Sequence, residues 1–128
     1  MRSIRKEIEQ YMTDLASEGQ TLTSRFVFPD EFVGFQGHFP GKKILPGVCQ
    51  IQCALTTLEK VHKKRVILKQ IALAKYLAPV SPGEEVIFVC KILPQEDSQL
   101  TVKAIALKNN TKISEIKLQV RFAEEGCC

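Results

Sequence analysis

The sequence has no long hydrophobic run, no internal repeat and no compositionally biased segment. A membrane-spanning helix needs about 18 consecutive apolar residues, so we do not expect the chain to span a membrane. No low-complexity tract or Gly/Ser-rich linker divides the 128 residues, of which 45% are hydrophobic. These properties predict a single small domain over residues 1–128 with a core of its own.

Basic residues are in excess, with a net charge of +4, but they do not form a nucleic-acid-binding pattern. The Lys and Arg residues are scattered, and the densest cluster lies within residues 60–65. Neither a recognition helix nor an aromatic platform accompanies them, so we expect no nucleic-acid partner. A positive rim also suits an acidic protein, and Lys42, Lys43 and residues 63–65 are candidate docking charges.

The five cysteines do not have the spacing of a zinc site, so no metal is expected. Their odd number and the lack of a secretory signal predict free thiols in a reducing cytoplasm. Cys49 and Cys53 share one face of a predicted helix, but no acid or base is placed nearby in sequence to activate them. We therefore interpret them as small apolar filler.

The periodicity of apolar residues predicts an α+β fold with an antiparallel sheet curled around one long helix. A doubly wound α/β fold is excluded because helices do not alternate with the later strands. Asn109-Asn110 is a hairpin signal. The predicted elements are an N-terminal helix at 1–18, a strand at 21–28, a central helix at 46–63, and strands at 65–77, 85–93, 99–108 and 111–123.

One imidazole, that of His38, lies between conformationally special residues. The run GHFPG at 37–41 is followed by ILPGV at 44–48, where the apolar central helix begins. Glycine permits backbone conformations that other residues avoid, and proline fixes φ, so the loop can hold the ring in one orientation. Histidine exchanges protons near neutral pH, which makes His38 a candidate general base.

Two ordered segments, FQGHFPG…ILPGV at 35–48 and KYLAPVSPGE at 75–84, resemble the signatures of the β-hydroxyacyl-[acyl-carrier-protein] dehydratases, the FabZ/FabA group. The run PGVCQ at 46–50 is similar to a variant found in dehydratases of aryl-polyene pathways. The resemblance implies a hotdog fold, a homodimer or higher oligomer with shared active sites, and no cofactor. It also implies dehydration of 3-hydroxyacyl thioesters carried by acyl carrier protein or coenzyme A.

The same resemblance implies which residues form the site. His38 would be the catalytic base, and Gln52 stands where the family places an acidic residue. A carboxamide can orient the leaving hydroxyl but cannot protonate it. Glu59 is the only nearby carboxylate on the helix, about 10 Å further along the axis. The implied substrate-binding residues are Phe39, Gly41, Pro46, Gly47, Val48 and Tyr76.

Because of Gln52, two alternatives stay open beside the dehydratase. One is an acyl thioesterase on the same fold, which would need a carboxylate or hydroxyl to direct water, and none is obvious near the motif. The other is a non-catalytic acyl-binding subunit that pairs with an active partner. The absence of a carboxylate at this position is its main support.

Overall fold

The computed structural model describes residues 3–36, 41–94 and 99–123. Two α-helices, a short 3₁₀ helix and six strands make up these parts of the chain. In chain order they are α1 (Ile4–Gln10), β1 (Met12–Glu18), β2 (Thr21–Val27), the 3₁₀ helix (Val33–Phe35), α2 (Gly47–His62), β3 (Val66–Tyr76), β4 (Glu85–Pro94), β5 (Gln99–Lys108) and β6 (Thr111–Phe122).

All six strands form one antiparallel sheet in the order β1-β2-β4-β5-β6-β3. The sheet packs one face against α2, so the predicted α+β architecture is confirmed. Alternate residues of each central strand point toward the helix, as the two-residue period of a strand requires. In β2 these buried residues are Leu22, Ser24 and Phe26, and in β4 they include Val86 and Phe88.

The central helix α2 runs from Gly47 to His62, against a predicted range of 46–63. Pro46 precedes it in an extended conformation, where its missing N–H costs no hydrogen bond. Lys63 ends the helix in the left-handed region with φ 55°. The buried side contains small and polar residues: Thr57 donates a hydrogen bond to the Cys53 carbonyl at 2.8 Å, and its hydroxyl lies 2.7 Å from that of Ser24.

The predicted N-terminal helix over residues 1–18 is wrong beyond its first half. Helix α1 ends at Gln10, and Met12–Glu18 forms strand β1, paired with β2 from Met12↔Phe26 to Glu18↔Thr21. The apolar spacing is compatible with a helix. As a strand, however, the segment forms backbone hydrogen bonds with β2, whose outer edge would otherwise be unpaired. Gly19 begins this hairpin turn with φ 60° and does not end a helix.

The later turns agree better with the sequence. Asn109 and Asn110 both have positive φ, 53° and 63°, as a type I′ hairpin turn between β5 and β6 requires. Within the described residues, no helix combines the length and apolarity needed to cross a bilayer.

Candidate active site

The amino end of α2 presents backbone donors that lack acceptors. Pro46 cannot cap the helix with its side chain. The amides of Cys49 and Gln50 donate to the Pro46 carbonyl at 3.0 and 3.2 Å. The N–H groups of Gly47 and Val48 have no acceptor among the described residues, as is usual for the first turn of a helix. They form a pair of donors at the positive end of the helix dipole, unpaired within the described parts of the chain.

Both motif segments meet at this helix end. The amide of Leu45 donates to the Val80 carbonyl at 2.8 Å, and the Tyr76 hydroxyl donates to the Gly47 carbonyl at 3.1 Å. Desolvation raises the pKa of Tyr76, so the hydroxyl is a protonated donor at neutral pH. Residues that the sequence separates by about thirty positions therefore share one surface.

Gly47 is needed because the tyrosine ring lies directly against the backbone. A Cβ at this position would come 2.5 Å from Cζ of Tyr76, closer than carbon atoms approach one another. The glycine thus lets an aromatic side chain cover the start of α2. Close packing, and not an unusual φ, explains this glycine.

An apolar cavity of about 560 Å³ opens beside these residues. Val48 and Leu77 remain 67% and 57% exposed at its border, which is unusual for large apolar side chains in a closed core. The volume of this cavity and its mainly apolar lining suit an acyl chain. The described lining residues are Ile44, Leu45, Pro46, Gly47, Val48, Gln50, Tyr76, Leu77, Ala78 and Pro79.

Gln50 is a polar residue in this wall that the sequence did not identify as part of the site. Its side chain is only 2% exposed, and its Oε1 atom has no hydrogen-bond partner among the described residues. The PGVCQ run contained the signal, because a glutamine four residues after Pro46 falls on the buried face of the helix.

A polar turn supports the opposite wall of the cavity. Lys108 donates to the Pro79 carbonyl at 2.6 Å and to Oε1 of Glu84 at 3.2 Å. The backbone N–H of Ser81 also donates to Glu84, at 2.7 Å. This bond, followed by Lys108, holds the pKa of Glu84 below its usual value. No sequence motif points to Lys108, because its contacts arise only when β5 meets the turn.

The predicted catalytic pair, His38 and Gln52, is described only in part. His38 and Phe39 lie outside the described residues. Gly41, which follows them, has φ 79°, a conformation suited to glycine. Gln52 donates from Nε2 to the Thr56 hydroxyl at 3.0 Å and is not among the described residues that line the cavity.

The other ionisable residues of the helix have structural contacts. Glu59 accepts hydrogen bonds from Arg5 at 2.7 Å and from the backbone N–H of Val66 at 2.8 Å, so it joins α1, α2 and β3. His62 lies with Nδ1 3.1 Å from the Leu58 carbonyl, and its ring is 4.9 Å from that of Phe122. Neither is placed to act at the cavity.

The cysteines of the core are unreactive by environment. Burial raises the pKa of Cys49 to about 11 and that of Cys90 to about 12, and it raises the pKa of Cys53 well above its usual value. Thiolates are the reactive form, so these thiols are poor nucleophiles. Among the described residues, no group of His, Cys, Asp and Glu is arranged to hold a metal ion.

An antiparallel sheet wrapped around a long helix, with an apolar cavity at the helix start, is the architecture of a hotdog protein. The family model of the ApeI dehydratase, ApeI-like, matches residues 14–124. The chain therefore belongs to the ApeI-like dehydratase family, within the FabZ-like hotdog dehydratases.

Comparison with individual proteins agrees with this membership. The chain is 28% identical over 107 residues to a 3-hydroxyacyl-[acyl-carrier-protein] dehydratase FabZ of Ehrlichia chaffeensis, covering 80% of this chain and 73% of that protein. It is 33% identical over 91 residues to the FabZ of Clostridium acetobutylicum, covering 66% of this chain and 64% of that protein. Each alignment thus spans about two thirds to three quarters of the relative.

A solved structure, the dehydratase heterocomplex ApeI:P from Xenorhabdus doucetiae, has the same fold. It superposes with a TM-score of 0.70 at 19% sequence identity, covering 86% of this chain and 96% of that chain. The predicted hotdog fold is therefore confirmed.

Proposed function

We propose that this protein dehydrates 3-hydroxyacyl thioesters to trans-2-enoyl thioesters. The observation that carries the proposal is the apolar cavity at the free amino end of α2, in a chain of the ApeI-like dehydratase family. The acyl chain occupies the cavity, and the thioester carbonyl meets the helix end. The start of α2 suits the thioester oxygen, because a developing oxyanion needs hydrogen-bond donors that are not already bonded.

In this mechanism His38 removes the proton on C2 of the acyl chain. The electron pair of the broken C–H bond moves toward the thioester oxygen, whose negative charge the N–H groups of Gly47 and Val48 stabilise. The C3–O bond then breaks, and the hydroxide leaves as water with the proton from the imidazolium of His38. Proton and charge balance without another acid.

Gln52 has an orienting role in this scheme. Its carboxamide accepts or donates a hydrogen bond but cannot supply the proton for the departing hydroxyl. We assign it, from a second subunit, to hold the leaving group or a water. Because Gln52 cannot supply a proton, His38 must return the proton that it removed.

A homodimer would complete the site. Strand β3 is at one end of the sheet, and its other edge is not paired with any described strand. Ile71, Tyr76 and Leu77, on or directly after this strand, are 47%, 44% and 57% exposed. Pairing of β3 with its copy would cover an open edge and these apolar side chains together.

We propose acyl carrier protein, or coenzyme A, as the thioester carrier. Lys43 already pairs with Asp30 at 2.6 Å, whereas residues 63–65 form no ion pair with a described residue. The basic residues 63–65 at the end of α2 therefore remain the stronger docking candidates for an acidic carrier. Free thiols at Cys49, Cys53 and Cys90 suit work in the reducing cytoplasm.

The decisive test is His38→Ala, compared with His62→Ala as a matched control. We expect His38→Ala to lower kcat/KM for a 3-hydroxyacyl carrier-protein thioester by about 10²–10⁴-fold, the usual contribution of a general base. His62 is the other imidazole of the chain and lies at the far end of α2, so its replacement should change turnover little. Loss of water from the acyl group is followed by mass spectrometry. Equal turnover by wild type and His38→Ala would show that the base is assigned wrongly.

A non-catalytic acyl-binding subunit is the second candidate, favoured by the carboxamide of Gln52 and its bond to Thr56. The related solved structure is a heterocomplex, which makes pairing with an active subunit a concrete version of this candidate. The same assay separates the two functions: binding of the thioester without loss of water supports the subunit, and release of free thiol would support a thioesterase. A gain of dehydration in Gln52→Glu would show that the rest of the site is competent.

A further inference from the structure

Gln50 is the buried polar group of the cavity. Of the described lining residues, only Gln50 and Tyr76 have polar side chains, and the Tyr76 hydroxyl already donates to the Gly47 carbonyl. Gln50 is 2% exposed, yet its Oε1 atom has no donor among the described residues. The cavity wall therefore holds, just beneath its surface, one acceptor that the described parts of the protein leave unused.

Such an arrangement costs free energy unless a donor reaches the oxygen. A buried amide oxygen loses its hydrogen bonds to water on folding and must find a protein or ligand donor in return. A methionine has nearly the same length and would fill the space without this cost. The glutamine is consequently better explained by something that enters the cavity than by packing.

We propose that Gln50 is a substrate-recognition residue whose amide oxygen accepts a hydrogen bond from a donor on the bound acyl thioester. This inference rests on the proposed function and adds to it a specificity determinant inside the cavity. The thioester carbonyl and sulfur only accept hydrogen bonds. The donors available are the 3-hydroxyl of the acyl chain and the amide N–H and hydroxyl groups of the pantetheine arm.

The position of Gln50 fits a group next to the reacting carbonyl. It follows Gly47 by three residues, which is a rise of about 4.5 Å along the helix. Gly47, Val48 and Gln50 therefore lie close together at the start of the helix, and all three line the cavity. Donors for the carbonyl oxygen and an acceptor for a neighbouring hydroxyl or amide are complementary to a 3-hydroxyacyl thioester.

The experiment compares Gln50→Met with the unchanged residue, both in the His38→Ala background so that turnover does not consume the ligand. Calorimetry measures the Kd of two pantetheine thioesters of equal chain length, one 3-hydroxyacyl and one saturated acyl. We expect Gln50→Met to weaken binding of the 3-hydroxyacyl thioester by about 3- to 10-fold, as the loss of one neutral hydrogen bond predicts. If the saturated thioester is unaffected, the 3-hydroxyl is the donor. If both ligands weaken equally, the donor belongs to the pantetheine arm.

Thr101→Val is the matched control. Thr101 is also buried, and its hydroxyl also has no partner among the described residues, but it lies on β5 and does not line the cavity. Its replacement should leave both Kd values unchanged. Gln50→Leu serves as a second variant if Gln50→Met does not fold, as judged by circular dichroism.

Two results would overturn the inference in different ways. If Gln50→Met leaves both Kd values and the KM of the enzyme with His38 intact unchanged, Gln50 does not recognise substrate, while the proposed function stands. If Gln50→Met alters only the oligomeric state, the donor belongs to a second copy of the chain. Wild-type protein that neither binds nor dehydrates any thioester would instead remove the proposed function itself.

Discussion

At the scale of single residues, the start of α2 depends on the contact between Gly47 and Tyr76. The ring lies where a Cβ of residue 47 would be, and its hydroxyl binds the carbonyl of the same glycine. A larger residue must push the ring away from the helix end and from the cavity. This pair therefore links the stability of the helix start to the shape of the site.

We expect Gly47→Ala to destabilise the protein by about 1–3 kcal/mol, since overpacking at a close contact displaces the ring. In a Tyr76→Ala background the ring is gone, and the same substitution should be nearly neutral. A double-mutant cycle by urea denaturation measures the coupling. Equal effects of Gly47→Ala in both backgrounds would contradict the proposed steric cause.

The sequence predicts some residues of the cavity wall and misses others, and the reason is physical. Pro46, Gly47, Val48 and Tyr76 were identified by their motifs, and the structure gathers all four around one cavity. Gln50 was visible in the sequence but had no assigned role, because burial and the lack of a donor are properties of the packed protein.

At the scale of secondary-structure elements, turn residues predict the type and bounds of helices and strands better than apolar spacing does. The elements after residue 45 lie close to their predicted ranges, since they are bounded by strong signals such as Pro46 and the Asn109-Asn110 turn. The segment 12–18 has a helical spacing of apolar residues but forms an edge strand. Its hairpin depends on Gly19, whose positive φ at the first position of a two-residue turn disfavours other residues.

Gly19→Ala should therefore destabilise the β1–β2 hairpin by about 1–2 kcal/mol, the strain of a left-handed conformation for a residue with a Cβ. Asn110→Gly is the control, because it places glycine at φ 63° in the other hairpin and should not lower stability. Urea denaturation measures the free energy of unfolding of both variants and of the wild type. A similar loss in both would mean that turn conformation is not what holds β1 in the sheet.

At the scale of the whole molecule, two open sheet edges differ in their apolar exposure. Strands β1 and β3 end the sheet on opposite sides. Around β3 and the start of α2, Val48, Ile71 and Tyr76 are all exposed, whereas β1 exposes Leu15 at 36%. Apolar surface next to an unpaired edge favours β3 as the interface of the proposed dimer.

Ile71→Arg should then weaken dimerisation by about 2 kcal/mol or more, roughly 30-fold in Kd, because a charge would be buried without a partner. Leu15→Arg makes the same chemical change on the opposite edge and should leave the oligomeric state unaltered. Sedimentation velocity over a range of concentrations measures the monomer–dimer equilibrium of both variants. A monomeric wild type, or equal dissociation by both variants, would exclude β3 as the interface.

Local sequence patterns predict the architecture from α2 onward and a candidate site at Pro46, Gly47 and Val48, which line one cavity in the structure. Local signals suffice there, because proline, glycine and two-residue periodicity act within a few positions of the chain. The folded chain alone reveals that residues 12–18 form a strand, that Lys108 supports the cavity wall, and that Gln50 is buried without a donor among the described residues. Each of these depends on contacts between distant segments, whose energies no local pattern contains.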